Sequence, residues 1–477
     1  MIVPSRPATL PRVLAWLGIA LWSTTAYASQ DGSAAPRPNI IIFLADDLGY
    51  GDLGSFGSPV IQTPNLDRFA DEGVRFTSLY ASASNCSPSR AGLLTGRTPS
   101  RVGVYDIARR NSSVRLPARE ITIAELLQSA GYDTFHAGKW HLTPHRGSRT
   151  LRAALAHGFD FTSRDPHARD VVGAFSKFLE SRSDDSAPFF AYLSVMEPHE
   201  PLVEYMSAAF RKRYETPEAE EKARLVQNRG VDRRRAVWEN RTAYFGAVSQ
   251  IDDAFGELLR TLDDRGLRDS TFVFFTSDNG PEYRSVSSFG SAGPLRGAKG
   301  QVYEGGIRVP GILRYPGYAT PGAVVDEPIN GTDLLPTLCA LAGVEAPNDR
   351  TIDGVDFSPA LEGEELRRAK PLYWSNWAAQ GRVQYAMRDG DWKILAETNP
   401  LQRGVEVIDH IKTSRFVRYE LYDLRNDVAE SRDRSESEPE KFQKLKSKFV
   451  RLHQEVVSEG PRISMEDFRG KADAAFP

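Results

Sequence analysis

Apolar, strand-like runs alternate with amphipathic helices along most of the chain. The run from Ile40 to Leu44 is continuously apolar, which is typical of a strand that is covered on both faces. Further strand-like runs lie at 132–137, 189–195 and 271–275. Between the last two, apolar residues from Tyr244 to Leu262 recur at helical spacing. This order predicts an α/β fold with a mostly parallel central sheet and helices on both faces.

Capping residues indicate where two of the predicted helices begin. Pro64 is expected to open one helix, with Thr63 as its N-cap and Gly73 at its end. The pair Thr122 and Glu125 has the spacing of a capping box and predicts the start of another helix.

The pattern changes from about residue 366 onward. Short strand-like pieces appear at Pro371–Trp374 and Trp392–Ala396, and a polar helix is predicted from Glu438 to Val456. A chain of 477 residues is long enough for one large domain and a smaller one. We therefore predict a main domain over 37–365 and a smaller C-terminal α+β subdomain over 366–477. Residues 201–240, rich in Arg, Lys and Glu, are interpreted as a solvated insertion.

The N-terminus has the form of a secretory signal peptide over residues 1–28. Arg6 and Arg12 provide a positive region, Val13 to Trp22 is apolar, and Ala26 and Ala28 give a small-x-small cleavage pattern. The apolar run is about half of the ~20 residues that span a bilayer. We expect a periplasmic or secreted protein without stable membrane insertion, although an uncleaved anchor remains open.

Charge and cysteine content exclude some classes of function. A formal net charge of -3 and a pI near 6.3 give no electrostatic reason to expect a nucleic acid partner. Two cysteines cannot form the disulfide framework of a small secreted scaffold. Cys339 lies in an apolar helical pattern and is expected to be buried, whereas Cys86 has polar neighbours.

Polar side chains follow the predicted strands at the points where they end. Asp46 and Asp47 follow the first strand, and Asp278 and Asn279 follow the run at 271–275. Ligands bind beyond the carboxyl ends of the strands in open parallel sheets. Three carboxylates and one amide are hard oxygen ligands, which suit Ca²⁺ or Mg²⁺. Ordinary turn chemistry is the alternative interpretation of these residues.

Three more candidates occupy equivalent positions. Lys139 and His141 follow the run at 132–137, and His199 follows the run at 189–195. A lone histidine more often lies on the surface or in a satisfied core, so the shared strand-end position is what favours a functional role.

Cys86 is predicted to lie at the N-terminus of a short helix that contains Pro88 and ends at Gly96. A helix N-terminus favours an anion, and Arg90 lies four residues on, on the same helix face. A sulfate or phosphate group could bind there. An unmodified, low-pKa thiolate is the alternative, but it leaves the oxygen-rich metal set unexplained.

The pattern Cys86-Ser-Pro-Ser-Arg90, followed by Thr95-Gly96, resembles the signature of the formylglycine-dependent sulfatases. Further blocks that resemble this family lie at 39–51, 138–141, 198–199, 277–280, 295–300, 303–310 and 421–424. The resemblance covers most of residues 37–430. It implies an alkaline-phosphatase-like α/β sandwich with a small C-terminal sheet.

The resemblance also implies a role for each candidate residue. A formylglycine-generating enzyme would oxidise Cys86 to formylglycine, whose hydrate attacks sulfur with one hydroxyl and expels sulfate with the other. Arg90 and His141 would contact this hydrate, Lys139 and Lys299 would bind sulfate, and His199 would face the ester oxygen. The implied calcium ligands are Asp46, Asp47, residue 86, Asp278 and Asn279.

The expected activity is sulfate-ester hydrolysis, with sulfated carbohydrate as the expected substrate class by analogy with exported sulfatases. A phosphonate or phosphate ester hydrolase of the same fold and an inactive sulfated-glycan binding protein remain alternatives. Thr143 and Glu197 depart from the residues common in the family and are expected to shape the substrate pocket.

Overall fold

We describe the protein from a computed structural model. The described residues are 37–109, 114–144, 148–182, 187–199, 207–225, 238–282, 290–317, 319–381, 383–403 and 407–460. The predicted signal peptide lies outside them and stays a prediction. None of the described helices is long and apolar enough to span a membrane.

Strands and helices alternate over the first two thirds of the chain. The strands are β1 (Asn39–Ala45), β2 (Val74–Phe76), β3 (Leu79–Tyr80), β4 (Asp133–Gly138), β5 (Phe161–Ser163), β6 (Phe189–Ser194), β7 (Thr271–Ser277), β8 (Gly311–Arg314), β9 (Ala323–Val325), β10 (Ile329–Asn330), β11 (Leu372–Ser375), β12 (Tyr385–Asp389), β13 (Trp392–Thr398) and β14 (Phe416–Asp423). The helices are α1 (Pro64–Glu72), α2 (Cys86–Thr95), α3 (Pro99–Val102), α4 (Ile123–Ser129), α5 (Ser148–Leu155), α6 (Ala168–Ser181), α7 (Ala208–Lys212), α8 (Pro217–Leu225), α9 (Trp238–Asp264), α10 (Glu304–Ile307), α11 (Leu334–Ala342), α12 (Ser358–Leu361), α13 (Val407–Thr413) and α14 (Pro439–Glu459).

Eight strands form the large sheet in the order β5-β4-β6-β1-β7-β8-β2-β9. The strand β1 lies between β6 and β7 and is parallel to both. Among the described strands of this sheet, β8 alone runs antiparallel to its neighbours. The predicted mostly parallel α/β sheet is therefore confirmed.

Both faces of the large sheet are covered. On β1, Ile41 and Phe43 pack in a cluster with apolar residues of α6 and α9. Ile40 and Ile42 point to the other face, in a cluster with residues of α2, α4 and α11. Successive side chains of a strand alternate between faces, so a continuously apolar strand fills both layers. Full burial of each such side chain contributes roughly 1.5–3 kcal/mol.

The capping signals are confirmed. The helix α1 begins at Pro64 after Thr63. At the start of α4, Thr122 Oγ1 accepts a bond from the Glu125 N–H (3.2 Å), and Glu125 Oε2 accepts one from the Thr122 N–H (2.8 Å). These reciprocal bonds satisfy two N–H groups that the helix leaves without partners.

The predicted insertion at 201–240 is described only in part. Residues 207–225 hold α7 and α8, whose charged side chains are mostly exposed. Phe210 and Tyr214 are nevertheless buried, and Tyr214 donates to or accepts from Ser249 of α9. This part of the segment is thus anchored to α9 rather than wholly solvated.

A second, antiparallel sheet has the order β11-β12-β13-β14. Trp374 and Leu395 on one face pack against Tyr80 and Ile307 from the first part of the chain. The helix α14 covers the other face with Leu445 and Phe449. The predicted C-terminal sheet and helix are present, while a domain boundary at 365–366 stays a prediction.

Candidate active site

The site lies where β1 and β7 end side by side. Because the two strands are parallel and adjacent, Asp46 and Asp47 emerge next to Asp278 and Asn279. The Asp47 N–H donates to Asp278 Oδ1 (3.2 Å), which ties the two loops together. Asp47 has a positive φ of 66°, a conformation that non-glycine residues seldom adopt outside functional or tightly held turns.

Cys86 is the first residue of α2, as predicted, and its side chain faces the carboxylates. The residue is 1% exposed, and Sγ lies 3.5 Å from Asp46 Oδ1 and 4.0 Å from Asp47 Oδ1. The helix ends at Gly96 in the left-handed conformation (φ 67°). Because α2 begins at Cys86, its N-terminal N–H groups lie next to this residue, and a helix N-terminus favours a bound anion.

Three carboxylates and Cys86 make a compact set of metal-ligand atoms. One ligand atom each from Asp46, Asp47, Asp278 and Cys86 lies within 4.8 Å of the others. Asn279 donates from Nδ2 to Asp47 Oδ1 (2.7 Å), and its buried Oδ1 has no hydrogen-bond partner among the described residues. A buried acceptor of this kind fits a cation ligand, because buried polar atoms otherwise find partners.

Electrostatics also favour a cation here. Burial, reinforced by Asp46, raises the pKa of Asp278 to about 6. For Asp46, burial is outweighed by Lys139 and other cationic groups, which hold its pKa well below the usual value. Carboxylates held this close repel each other, and a divalent ion would relieve that repulsion. The residues present fit a hard cation.

Arg90 is fully buried and is held from three directions. Its guanidinium donates to Asp278 Oδ2 from Nε (2.9 Å), and Nη2 forms an ion pair with the same oxygen at 2.7 Å. Its Nη1 donates to the Lys139 carbonyl (2.7 Å) and to Ser194 Oγ. Ser194 ends β6 and was missed in the sequence, although its strand-end position is the same signal that marked the other candidates.

Two lysines lie against the metal carboxylates. Lys139 contacts Asp46 Oδ2, and Lys299 Nζ lies 2.6 Å from Asp47 Oδ2. Burial alone would lower the pKa of each ammonium group, but Asp46 raises that of Lys139 and Asp47 raises that of Lys299. Both side chains therefore stay cationic and can bind an oxyanion.

The two histidines differ in their surroundings. Burial, with Lys139 and Arg90 adding to it, holds the pKa of His141 well below its usual value, so the imidazole is neutral. Its Nδ1 is buried without a hydrogen-bond partner in the described part of the chain, and its φ is 54°. His199 is more open, with 30% of its side chain exposed and Nε2 at 3.8 Å from Asp47 Oδ2.

An unmodified Cys86 would be a poor nucleophile in this environment. Burial raises the pKa of the Cys86 thiol, and Lys139 and Lys299 offset this only partly. The geometry therefore disfavours the thiolate alternative, because the thiolate is the reactive form of cysteine.

The Glu197 side chain does not take the position expected of it. The Glu197 carboxylate accepts bonds from the Ala168 N–H at the start of α6 (3.0 and 3.1 Å) and from Gln250 Nε2 (3.0 Å). Glu197 and Thr143 are both buried, at 4% and 7% exposure, and the expected role of Thr143 in the substrate pocket stays a prediction. The expectation that Glu197 shapes the substrate pocket is wrong: its carboxylate stabilises a helix N-terminus, and its carbonyl accepts the Asp46 N–H (3.1 Å).

The fold thus brings the candidate catalytic and metal-binding residues together at one edge of the sheet. Comparison with known proteins is consistent with this arrangement. The family described as Sulfatase matches residues 38–344, and the one described as N-sulphoglucosamine sulphohydrolase, C-terminal, matches residues 298–456.

Individual relatives extend the similarity over most of the chain. Arylsulfatase A of Bos taurus is 38% identical over 408 residues, covering 78% of this chain and 78% of that protein. N-acetylgalactosamine-6-sulfatase of Canis lupus familiaris is 34% identical over 413 residues, covering 76% and 73%. The crystal structure of Ps i-CgsB in complex with k-i-k-neocarrahexaose is 25% identical with a TM-score of 0.72, covering 92% of this chain and 98% of that one.

The family match spans more than half of the sequence and includes the residues that build the site, and the similarity to arylsulfatase A covers 78% of the chain. The chain therefore belongs to the sulfatase family of the alkaline-phosphatase superfamily and is a sulfuric ester hydrolase.

Proposed function

We propose that this protein hydrolyses sulfate esters of sulfated carbohydrates, using a formylglycine derived from Cys86 beside a bound calcium ion. The observation that carries the proposal is the position of Cys86: its Sγ lies 3.5 Å from Asp46 Oδ1, at the N-terminus of a helix. A formylglycine-generating enzyme would be needed during maturation. Export to the periplasm or the exterior belongs to the same proposal.

Asp46, Asp47, Asp278, Asn279 and residue 86 are the proposed ligands of the cation. A calcium ion, with Mg²⁺ as the alternative, would neutralise charge on the sulfate oxygens and polarise the S–O bond. The hydrated aldehyde at position 86 would supply two hydroxyl groups on one carbon, one to attack sulfur and one to expel sulfate.

The remaining side chains have complementary tasks. Lys139 and Lys299 bind sulfate oxygens, whose charge increases as the ester bond breaks. Arg90, fixed by Asp278, orients the group at position 86. His141 is neutral and can accept a proton from a hydroxyl of residue 86, and His199 donates a proton to the oxygen of the leaving alcohol.

The substrate class is supported by two relatives. One is named for a sulfated amino sugar, N-acetylgalactosamine-6-sulfatase, and the crystal structure of Ps i-CgsB contains k-i-k-neocarrahexaose. The test is desulfation of a panel of defined sulfated sugars by matured enzyme, with an aryl sulfate measured alongside. Turnover of the aryl sulfate with no sulfated sugar desulfated would contradict the carbohydrate assignment.

The phosphonate or phosphate ester hydrolase is the nearest rival, because a metal, two lysines and an arginine would bind either oxyanion. Side-by-side rates on matched aryl sulfate and aryl phosphonate esters separate the two, and we expect the higher kcat/KM for the sulfate. Binding of a sulfated glycan without catalysis would not require the whole set of catalytic side chains. Measurable turnover of any sulfate ester would exclude the hypothesis of an inactive glycan-binding protein.

A further inference from the structure

A fully buried ionic group joins the C-terminal antiparallel sheet to α10. Lys393 of β13 places Nζ 2.9 Å from Glu304 Oε1 and 2.9 Å from Glu430 Oε1. All three side chains have no exposed surface. The Glu304 N–H also donates to Glu430 Oε2 (2.7 Å). These residues take no part in the proposed chemistry, although Glu304 lies in the 303–310 block that resembles the sulfatase family.

The charges in this group depend on each other. Burial alone would raise the pKa of Glu304, but Lys393 and Arg308 outweigh it and lower that pKa to about 2. Tyr80 OH donates to Glu304 Oε2 (2.6 Å) as well. Glu304 is therefore a charged, tightly held residue, and loss of Lys393 would leave buried carboxylates without their ammonium partner.

Directly after Glu304, the backbone of α10 is wedged between two loops. The Gly280 N–H donates to the Gly306 carbonyl (3.1 Å). A Cβ added to Gly280 would lie 1.9 Å from the Gly305 carbonyl oxygen, and one added to Gly306 would lie 2.0 Å from the Gln301 carbonyl oxygen. Contacts this close leave no room for α10 to shift without moving both loops.

Both loops carry residues of the proposed site. Asn279 precedes Gly280 and donates from Nδ2 to the Gly280 carbonyl (2.9 Å). Lys299 lies in the other loop, and its N–H donates to the Pro281 carbonyl (2.9 Å). A displacement of α10 would therefore reach a metal ligand and a sulfate-binding lysine together.

We propose that Lys393 is a positioning residue for the active site: through Glu304 and α10 it sets the loops that carry Asn279 and Lys299. The C-terminal sheet is then part of the apparatus that binds the metal and sulfate. This inference rests on the proposed metal site.

The test is calorimetric titration of the full-length matured enzyme with Ca²⁺, and then with inorganic sulfate. Lys393→Met should weaken Ca²⁺ binding by about 10-fold or more, the range seen when residues supporting metal ligands are removed. Sulfate binding should weaken in the same variant. Glu430→Gln keeps a side-chain oxygen that can accept a hydrogen bond from the Glu304 N–H. Its affinity for Ca²⁺ should lie between those of the wild type and Lys393→Met.

Leu445→Ala is the matched control, because Leu445 of α14 is buried against the opposite face of the same sheet. It should destabilise the sheet and leave Ca²⁺ affinity unchanged. Wild-type affinity in folded Lys393→Met overturns the proposal, and so does an equal loss of affinity in Leu445→Ala. If Lys393→Met does not fold, wild-type affinity in Glu430→Gln overturns it.

Asp278→Ala separates this inference from the proposed metal site. If Asp278→Ala binds Ca²⁺ as the wild type does, the metal site itself is wrong and the inference falls with it. If Asp278→Ala loses the ion and Lys393→Met does not, the metal site stands and only the positioning role is overturned.

Discussion

At position 86 the chemistry depends on how many hydroxyl groups one carbon carries. A serine offers one hydroxyl that can attack sulfur, but it lacks the second hydroxyl that would expel sulfate. Cys86→Ala should abolish turnover, and Cys86→Ser should accumulate a sulfated enzyme that intact-protein mass spectrometry detects after incubation with substrate. Sustained turnover by Cys86→Ser would refute the two-hydroxyl requirement.

The role of His199 can be tested by comparing substrates that differ in their leaving group. A sugar alkoxide leaves poorly without a proton, whereas a nitrophenolate needs little help, and general acid assistance is worth roughly 10²–10⁴-fold. We expect His199→Ala to reduce kcat/KM for a sulfated sugar far more than for nitrophenyl sulfate. An equal reduction for both substrates would assign His199 to binding or packing instead.

How far the sequence could predict individual residues depends on their context. Cys86 and Arg90 lie in a specific motif, and Asp46 and Asp278 follow apolar strands. The local sequence was therefore sufficient to identify these four as candidate site residues. Ser194 is the last residue of β6, but a lone serine is too common to single out without seeing its contact with Arg90. The burial of Glu197 depends on α6 and α9, which approach it only in the folded chain.

Among the elements, strands and helices with clear periodicity or capping residues were predictable within a few residues. The run Ile40–Leu44 lies within β1, and the helix predicted from Glu438 to Val456 is α14. The packing of α7 against α9 was not predictable, because two buried aromatic residues, Phe210 and Tyr214, are hidden among charged neighbours.

The helix α14 carries a buried histidine that makes stability depend on pH. Burial lowers the pKa of His453 from 6.5 to about 4, and its Nδ1 lies 2.8 Å from Tyr373 OH. Between these values the unfolded chain binds a proton that the folded chain does not, so the free energy of unfolding falls as pH drops from 6.5 to 4. One proton corresponds to about 1.4 kcal/mol per pH unit.

His453→Gln should therefore flatten the pH dependence of unfolding in this window by up to about 1.4 kcal/mol per pH unit. Glutamine can still hydrogen-bond to Tyr373 and does not titrate. Urea denaturation of both proteins at several pH values measures the difference, in which other titrating groups cancel. Identical slopes would show that His453 is not the group responsible.

At the level of the whole molecule, the sequence predicted the class of the large sheet but not its strand order. Alternation of strands and helices implies parallel pairing, whereas the antiparallel placement of β8 beside β7 and β2 depends on contacts between distant segments. The link from Lys393 to Glu304 is equally non-local, since the two residues are 89 positions apart.

The metal should increase the free energy of unfolding of the whole protein as well as support catalysis. An ion that binds only the folded chain at a hundredfold excess over its Kd contributes about 2.7 kcal/mol. A chelator should lower both activity and the melting temperature, and added Ca²⁺ or Mg²⁺ should restore them. Asp278→Ala should show neither response, and full metal content with full activity in this variant would contradict the assigned ligand set.

The most direct test of the account is peptide mass spectrometry of residue 86 in an active preparation. The mechanism requires formylglycine at this position, so the peptide containing Ser87, Pro88, Ser89 and Arg90 should carry the mass of an aldehyde or its hydrate in place of a thiol. Specific activity should rise in proportion to the converted fraction across preparations. A fully active enzyme with only the unmodified Cys86 thiol would contradict the account.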